Sequence, residues 1–323
     1  MKPHYAGLVG DVGGTNARLA LIDSEGRVKH LHIYPAADFA SLNDVIADYL
    51  ERTLGRNKRL PRAVIAVAGP VVDGEMEFTN LDWQVSEGEI LAQFEFEAVR
   101  LINDFAAQAL ACPLLSGEAL RPLGPVLRGA PDAPMVVLGA GTGFGVAGLA
   151  RSERGDVEVS TEGGHAAFAP SDDVEVEIWS RFRERHGRVS IERILSGRGI
   201  FELYGDLAKL NQAEAPLGNE KAVFEAAGKG DALAGETLDR FCAILGSVCG
   251  DLALSFGARG GVFVSGGIAP RMADRLAAGA FRARFEDKGR LSPYVQAIPT
   301  FLVTHPYPAI IGAARELGMM ERL

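Results

Sequence analysis

This sequence of 323 residues is short of cysteine, of positive charge and of long apolar runs, and each shortage closes off a class of protein. Its three cysteines, Cys112, Cys242 and Cys249, are an odd number with no C-x-x-C spacing, so neither a disulfide framework nor a thiolate zinc site is indicated. Cys242 and Cys249 lie two turns apart on one helical face and read as core thiols. Thirty-three Lys and Arg stand against 42 Asp and Glu, giving a net charge of −9. Nonspecific nucleic-acid and anionic-membrane partners are therefore not expected, because both need a basic face. No uninterrupted apolar run approaches a membrane span, and the N-terminal MKPHYAGLVGD has no signal-peptide apolar region, so the expected location is the cytoplasm. With 47% hydrophobic and 23% charged residues the chain is globular rather than disordered or fibrous. Its length exceeds what one core usually supports, which predicts two domains.

What is abundant is glycine at strand ends. Leu8 to Asp23, LVGDVGGTNARLALID, reads as two strands joined by the turn Gly10-Asp11-Val12-Gly13-Gly14-Thr15. Backbone N–H groups of such a turn can converge on phosphate oxygens, with Thr15 adding a hydroxyl donor and Asp11 able to hold a hydrated Mg²⁺. A loose hairpin is the plainer alternative, but it needs neither three glycines nor an aspartate at a strand end. Met135 to Ala150, MVVLGAGTGFGVAGLA, repeats the plan, with Gly141-Thr142 placed 127 positions after Gly14-Thr15. That separation is about one domain, which points to an internal duplication. Gly143 to Gly148 also spells G-x-G-x-x-G, but inside an outgoing strand rather than at a helix start, so it is not a dinucleotide motif.

The remaining chain alternates strands and helices. Arg27 to Tyr34 is a strand, Phe39 to Arg52 an amphipathic helix, Arg62 to Gly69 a buried strand and Glu75 to Asn80 another. Trp83 reads equally as a core aromatic or a residue beside a ligand. Val99 to Asn103 is a strand that delivers Asp104 to a helix start, where open α/β sheets place ligand contacts and where Asp is also a common cap. The proline-rich stretch from Pro113 to Pro134 reads as an irregular crossover. Glu162 and His165, in the polar turn Ser160 to His165, can hydrogen-bond vicinal hydroxyls, although a surface loop and a packing histidine are the plainer readings. Asp173 to Arg185 reads as a helix with a solvated charged face. Glu192, in Ser190 to Gly197, suits a first-turn carboxylate favoured by the helix dipole. Asp231 to Phe256 is a long helix, Gly260 to Gly267 a buried strand ending in paired glycines, Gln296 to Thr304 a late strand and Ala309 to Leu317 a last helix.

The two glycine hairpins and the strand ending in Gly266-Gly267, in this order, resemble the sugar-kinase, heat-shock-protein and actin superfamily. Within it the chain resembles the bacterial ATP-dependent glucokinases, over nearly its whole length. The resemblance implies an α/β fold of two domains with duplicated ribonuclease H-like, actin-like ATPase topology around a cleft. It implies a small domain of residues 1–112 plus 305–323 and a large one of residues 113–304. It also implies transfer of the ATP γ-phosphoryl group to the 6-hydroxyl of glucose, with Asp104 as general base and Mg²⁺ near Asp11. Asn80, Asn103, Asp104, Glu162, His165 and Glu192 would bind the sugar. Gly10, Asp11, Val12, Gly13, Gly14, Thr15, Gly141, Thr142, Gly266 and Gly267 would bind the nucleotide. A homodimer is implied as well, and the alternatives left open are another hexose or another phosphoryl donor. A DNA-binding relative is disfavoured because nine residues before Gly10 are too few for a helix-turn-helix. An ATPase clamp is disfavoured because it has no use for Asn103-Asp104 or for Glu162 with His165.

Overall fold

The computed structural model describes residues 5–55, 59–78, 81–153 and 155–320. They group into two compact units, Met1–Leu115 with Pro306–Leu323, and Ser116–His305. Each unit has its own apolar core.

The first unit carries β1 (Tyr5–Val12), β2 (Asn16–Asp23), β3 (Val28–Pro35), β4 (Arg62–Val67), β5 (Glu75–Glu77), β6 (Gln84–Ser86) and β7 (Ala98–Asn103). Five of these form a sheet in the order β3-β2-β1-β4-β7. β1, β2 and β3 run antiparallel in succession, as hairpin-linked strands must, while β4 and β7 run parallel to β1. β4 is apolar without alternation, and Ala63 to Val67 are all buried, because parallel central strands are covered on both faces. The helix Leu42–Leu54 starts where Ser41 accepts from the Asp44 N–H, and it buries Leu42, Val45, Ile46 and Tyr49. β5 and β6 form a separate two-stranded sheet. The strand expected through Asn80 therefore stops at Glu77: the Phe78 N–H turns to the Trp83 carbonyl at 3.0 Å, which starts the return. Trp83 is buried, with its indole N–H directed at the Phe39 carbonyl, which makes it a core residue. The last helix, Pro308–Met319, packs on the helix Asp104–Ala111, where Gly312 leaves no room for a Cβ beside the Ala107 carbonyl.

The second unit carries β8 (Leu120–Pro122), β9 (Met135–Ala140), β10 (Phe144–Ala150), β11 (Val157–Thr161), β12 (Gly261–Ser265) and β13 (Thr300–Val303). Its sheet runs β11-β10-β9-β12-β13-β8. The directions repeat those of the first unit, antiparallel along β9, β10 and β11 and parallel from β9 to β12 to β13, and β8 is added antiparallel at the edge. The topology is thus duplicated, as in actin-like ATPase folds. The two hairpins differ by one residue: the paired Val12 and Ala17 enclose residues 13–16, whereas Ala140 and Phe144 enclose residues 141–143.

Three expectations need correction here. The crossover from Pro113 to Pro134 contains β8, a three-residue strand too short to show a period, whose Pro122 is tolerated at a sheet edge. The late strand is only Thr300–Val303, because Gln296 closes a short helix, Ser292–Gln296. The helix Asp173–His186 is not simply solvated on its charged face. Glu175 is fully buried, and its oxygens lie 2.8 and 2.9 Å from Arg284 Nη2 while accepting from the Ser171 N–H. A buried carboxylate is stable there because Arg284 neutralises it and the backbone satisfies it. No helix among the described residues is long and apolar enough to cross a membrane.

Candidate functional site

In the first unit the turn after β1 and the start of the helix Asp104–Ala111 lie at the same end of the sheet. Val12 is level with Val67 of β4, and Val67 with Asn103 of β7, so the two features follow the carboxyl ends of parallel strands two places apart. Open α/β sheets bind ligands at that end. Within the turn the residues divide. Gly10 and Val12 are buried strand residues; a Cβ on Gly10 would lie 2.9 Å from Ile65 Cδ1, so packing alone demands glycine there. The exposed part of the turn is Gly14 and Thr15, next to the half-buried Gly13. Among the described residues, a Cβ on Gly13 would meet nothing nearer than the Asn16 carbonyl oxygen at 4.0 Å, and its backbone is not left-handed, so the fold itself does not ask for glycine. A glycine there leaves the backbone open to close approach by a ligand.

Asp11 is paired across the hairpin with Arg18, Nη1 to Oδ2 at 2.9 Å, because the two residues are in register. Burial pushes the Asp11 carboxyl above its ordinary range, against the Arg18 guanidinium, which pulls it down. Arg18 also lies 5.9 Å over the Tyr307 ring. Among the described residues no cluster of three or more His, Cys, Asp or Glu could cage a metal ion. A lone carboxylate still fits Mg²⁺, which keeps most of its waters and takes its other ligands from phosphate.

Asn103 caps the helix that Asp104 begins. Its Oδ1 accepts from the N–H groups of Phe105 and Ala106 at 2.9 and 3.1 Å, and its Nδ2 donates to the Gly69 carbonyl at 3.1 Å. The capping role considered for Asp104 thus belongs to its neighbour, and Asp104 occupies the first helical position, half-buried, with Oδ1 accepting from the Phe105 N–H. Asn80 lies outside the described residues.

In the second unit three expected residues come together. His165, on the turn Gly163–His165, has Nδ1 3.7 Å from Glu162 Oε2 and Nε2 3.8 Å from Glu192 Oε1. Glu162 and His165 are largely exposed, and Glu192 is 32% exposed. Ser190 caps the four-residue turn Ile191–Ile194, and the Ile191 N–H donates to the Ala166 carbonyl, which ties the two segments. A four-residue turn has little macrodipole, so the dipole reading of Glu192 loses its basis. What holds Glu192 is the Phe144 N–H, 2.8 Å from Oε2, just past the second glycine turn.

At that turn Gly141 has nothing within 4 Å of a would-be Cβ, and Thr142 is exposed. Gly267, beyond the end of β12, is equally open. Gly266 differs, since its φ of +83° and the Ala140 carbonyl beside it require glycine for the fold. β12 lies next to β9, so these loops emerge side by side. Sequence reading missed Arg18, whose role depends on the hairpin register, and Gly143, whose neighbour Glu192 is far away along the chain.

Comparison with known proteins gives a consistent picture. Residues 8–319 match a family model described as Glucokinase. A glucokinase of Caulobacter sp. (strain K31) is 49% identical over 311 residues, 95% of this chain and 94% of the relative. A glucokinase of Hahella chejuensis (strain KCTC 2396) is 40% identical over 99% of both chains. Among solved structures, a glucokinase from an Antarctic psychrotroph superposes with a TM-score of 0.88 at 38% identity, covering 97% of this chain and 98% of that one. A ROK family glucokinase from Streptomyces griseus, in complex with glucose and AMPPNP, shares the fold at a TM-score of 0.63 and 18% identity, covering 95% of this chain and 97% of that one.

Proposed function

The chain belongs to the glucokinase family and is an ATP-dependent sugar kinase, and from that premise we propose how its residues divide the work of moving the ATP γ-phosphoryl group to the 6-hydroxyl of glucose. Such a transfer is mainly positioning and charge neutralisation. The open turns at Gly13-Gly14-Thr15 and Gly141-Thr142, with Gly267, offer backbone N–H groups and hydroxyls to the nucleotide. Gly10, Val12 and Gly266 shape those loops. Glu162, His165 and Glu192 take sugar hydroxyls, as does the second N–H of the Asn103 amide; Asn80 stays a sugar ligand by resemblance only. Asp104 accepts the 6-hydroxyl proton as that oxygen forms its bond to phosphorus, and ADP leaves with the electrons of the broken bond. Asp11 would hold Mg²⁺ through water, and the ion supplies neutralisation of phosphate charge.

The observation that carries this reading is the duplicated sheet, each copy ending its first strand in a glycine turn with room for a ligand. One copy adds Asn103-Asp104 and the other the Glu162, His165 and Glu192 cluster. A homodimer in the cytoplasm is part of the same proposal, with no nucleic-acid or membrane partner, in keeping with the net charge of −9. Light scattering tests the dimer. Coupled measurement of ADP release tests the activity: glucose should raise the rate well above the sugar-free rate, and release that ignores glucose across a panel of hexoses and donors would sink the proposal.

A further inference from the structure

Phe144 opens β10 directly after the second glycine turn, and its backbone is held from two sides by the segments that carry the candidate sugar ligands. Its N–H donates to Glu192 Oε2 at 2.8 Å. Its carbonyl lies against Gly164, where a Cβ would not fit. The other Glu192 oxygen is left 3.8 Å from His165 Nε2. Gly143, immediately before Phe144, has no left-handed backbone, so its conformation does not require glycine. Among the described residues, its chain neighbours aside, the three atoms nearest a Cβ built there all belong to the Glu192 carboxyl group, with Oε2 at 2.5 Å, the carboxyl carbon at 3.3 Å and Oε1 at 4.0 Å.

We propose that Gly143 is a positioning residue for Glu192. Its missing side chain is the opening through which the carboxylate reaches the Phe144 N–H, so this last glycine of the turn serves the sugar, while Gly141 and Thr142 serve the nucleotide. With one oxygen fixed by a backbone donor, the other is held toward His165 in a set orientation; without that donor the carboxylate swings in solvent. The inference rests on the reading of Glu192 as a sugar ligand. It also predicts a clean variant, because the atoms in the way are the end of a flexible side chain. Gly143→Ala should displace Glu192 rather than the backbone.

The test measures kcat and KM for glucose and for ATP in Gly143→Ala, Glu192→Ala and the double variant, with melting curves for each. Gly143→Ala should lower kcat/KM for glucose about 10-fold or more, within the roughly 10- to 150-fold span of a lost charge-assisted hydrogen bond. The loss should lie mainly in the glucose KM, with the ATP KM within about twofold and the melting temperature nearly unchanged. In the Glu192→Ala background, Gly143→Ala should cost less than about twofold more, because the carboxylate through which it acts is gone. If Glu192→Ala leaves glucose kinetics unchanged, the sugar-ligand reading falls and the inference with it. If Glu192→Ala is impaired but Gly143→Ala is normal, or the two losses multiply, or the effect falls on ATP, only the inference is overturned. Failure of Gly143→Ala to fold, with or without Glu192, would also overturn it, since the backbone would then be what needs glycine.

Discussion

Asp104 and Asn103 are adjacent, yet the structure gives them separable jobs, and that separation makes their substitutions informative. Asn103 has an extended backbone, φ −61° and ψ 144°, and holds the helix cap, whereas Asp104 is already helical. Asp104→Asn keeps shape and cap, so stability should hold while turnover falls at least ~10²-fold with glucose still bound. Near-wild-type turnover in steady-state assays would leave Asp104 without a catalytic role. Asn103→Ala should behave differently, losing about 1 kcal/mol from the cap in urea unfolding. The sequence pointed to this pair at a strand end, but which of two neighbouring polar residues caps is decided by one backbone torsion. The Asp11–Arg18 pair was hidden for a similar reason: it needs the hairpin register, which depends on a turn of residues 13–16.

At the scale of elements, local pattern was readable and long-range partnership was not. Alternation and glycine marked β1 and β2, continuous apolar runs marked β4 and β12, and the 3.6-residue period marked the helix Ala232–Phe256. Gly141 and Gly13 were recognisable because each punctuates an apolar run. β8 was not, since three residues ending in proline carry no period. Nor was the burial of Glu175, whose partners Arg240 and Arg284 come from remote helices. Arg284 holds both carboxylate oxygens, and Asp172 extends the network, 3.6 Å from Arg284 Nη1 and bonded to Arg240. Removing one member of a buried ion pair strands its partners' charge, so Glu175→Ala should destabilise the protein by about 3–5 kcal/mol in equilibrium unfolding. A loss under ~1 kcal/mol would mean that solvent reaches the arginines after all.

At the scale of the whole molecule, the repeat 127 positions apart proved to be a repeat of sheet topology, legible because both copies kept their glycines. Each unit also contains its own buried thiol reporter, Cys112 in the first and Cys242 and Cys249 in the second. Burial raises all three thiols, Cys242 to about 12, so each stays protonated and sheltered at pH 8. A raised value means that the reactive thiolate would form only well above that pH. No cysteine should therefore react with an aromatic disulfide reagent in the native protein, and all three should react in denaturant; a reactive native thiol would show that one of the cores is open. The central claim, phosphoryl transfer to a specific oxygen of glucose, is tested most directly by the product. With ATP, Mg²⁺ and glucose carrying ¹³C at carbon 6, the carbon-6 resonance should acquire coupling to phosphorus as ATP is consumed. An unsplit carbon-6 signal as ATP is consumed, whether beside accumulating inorganic phosphate or beside a sugar phosphorylated elsewhere, would contradict it.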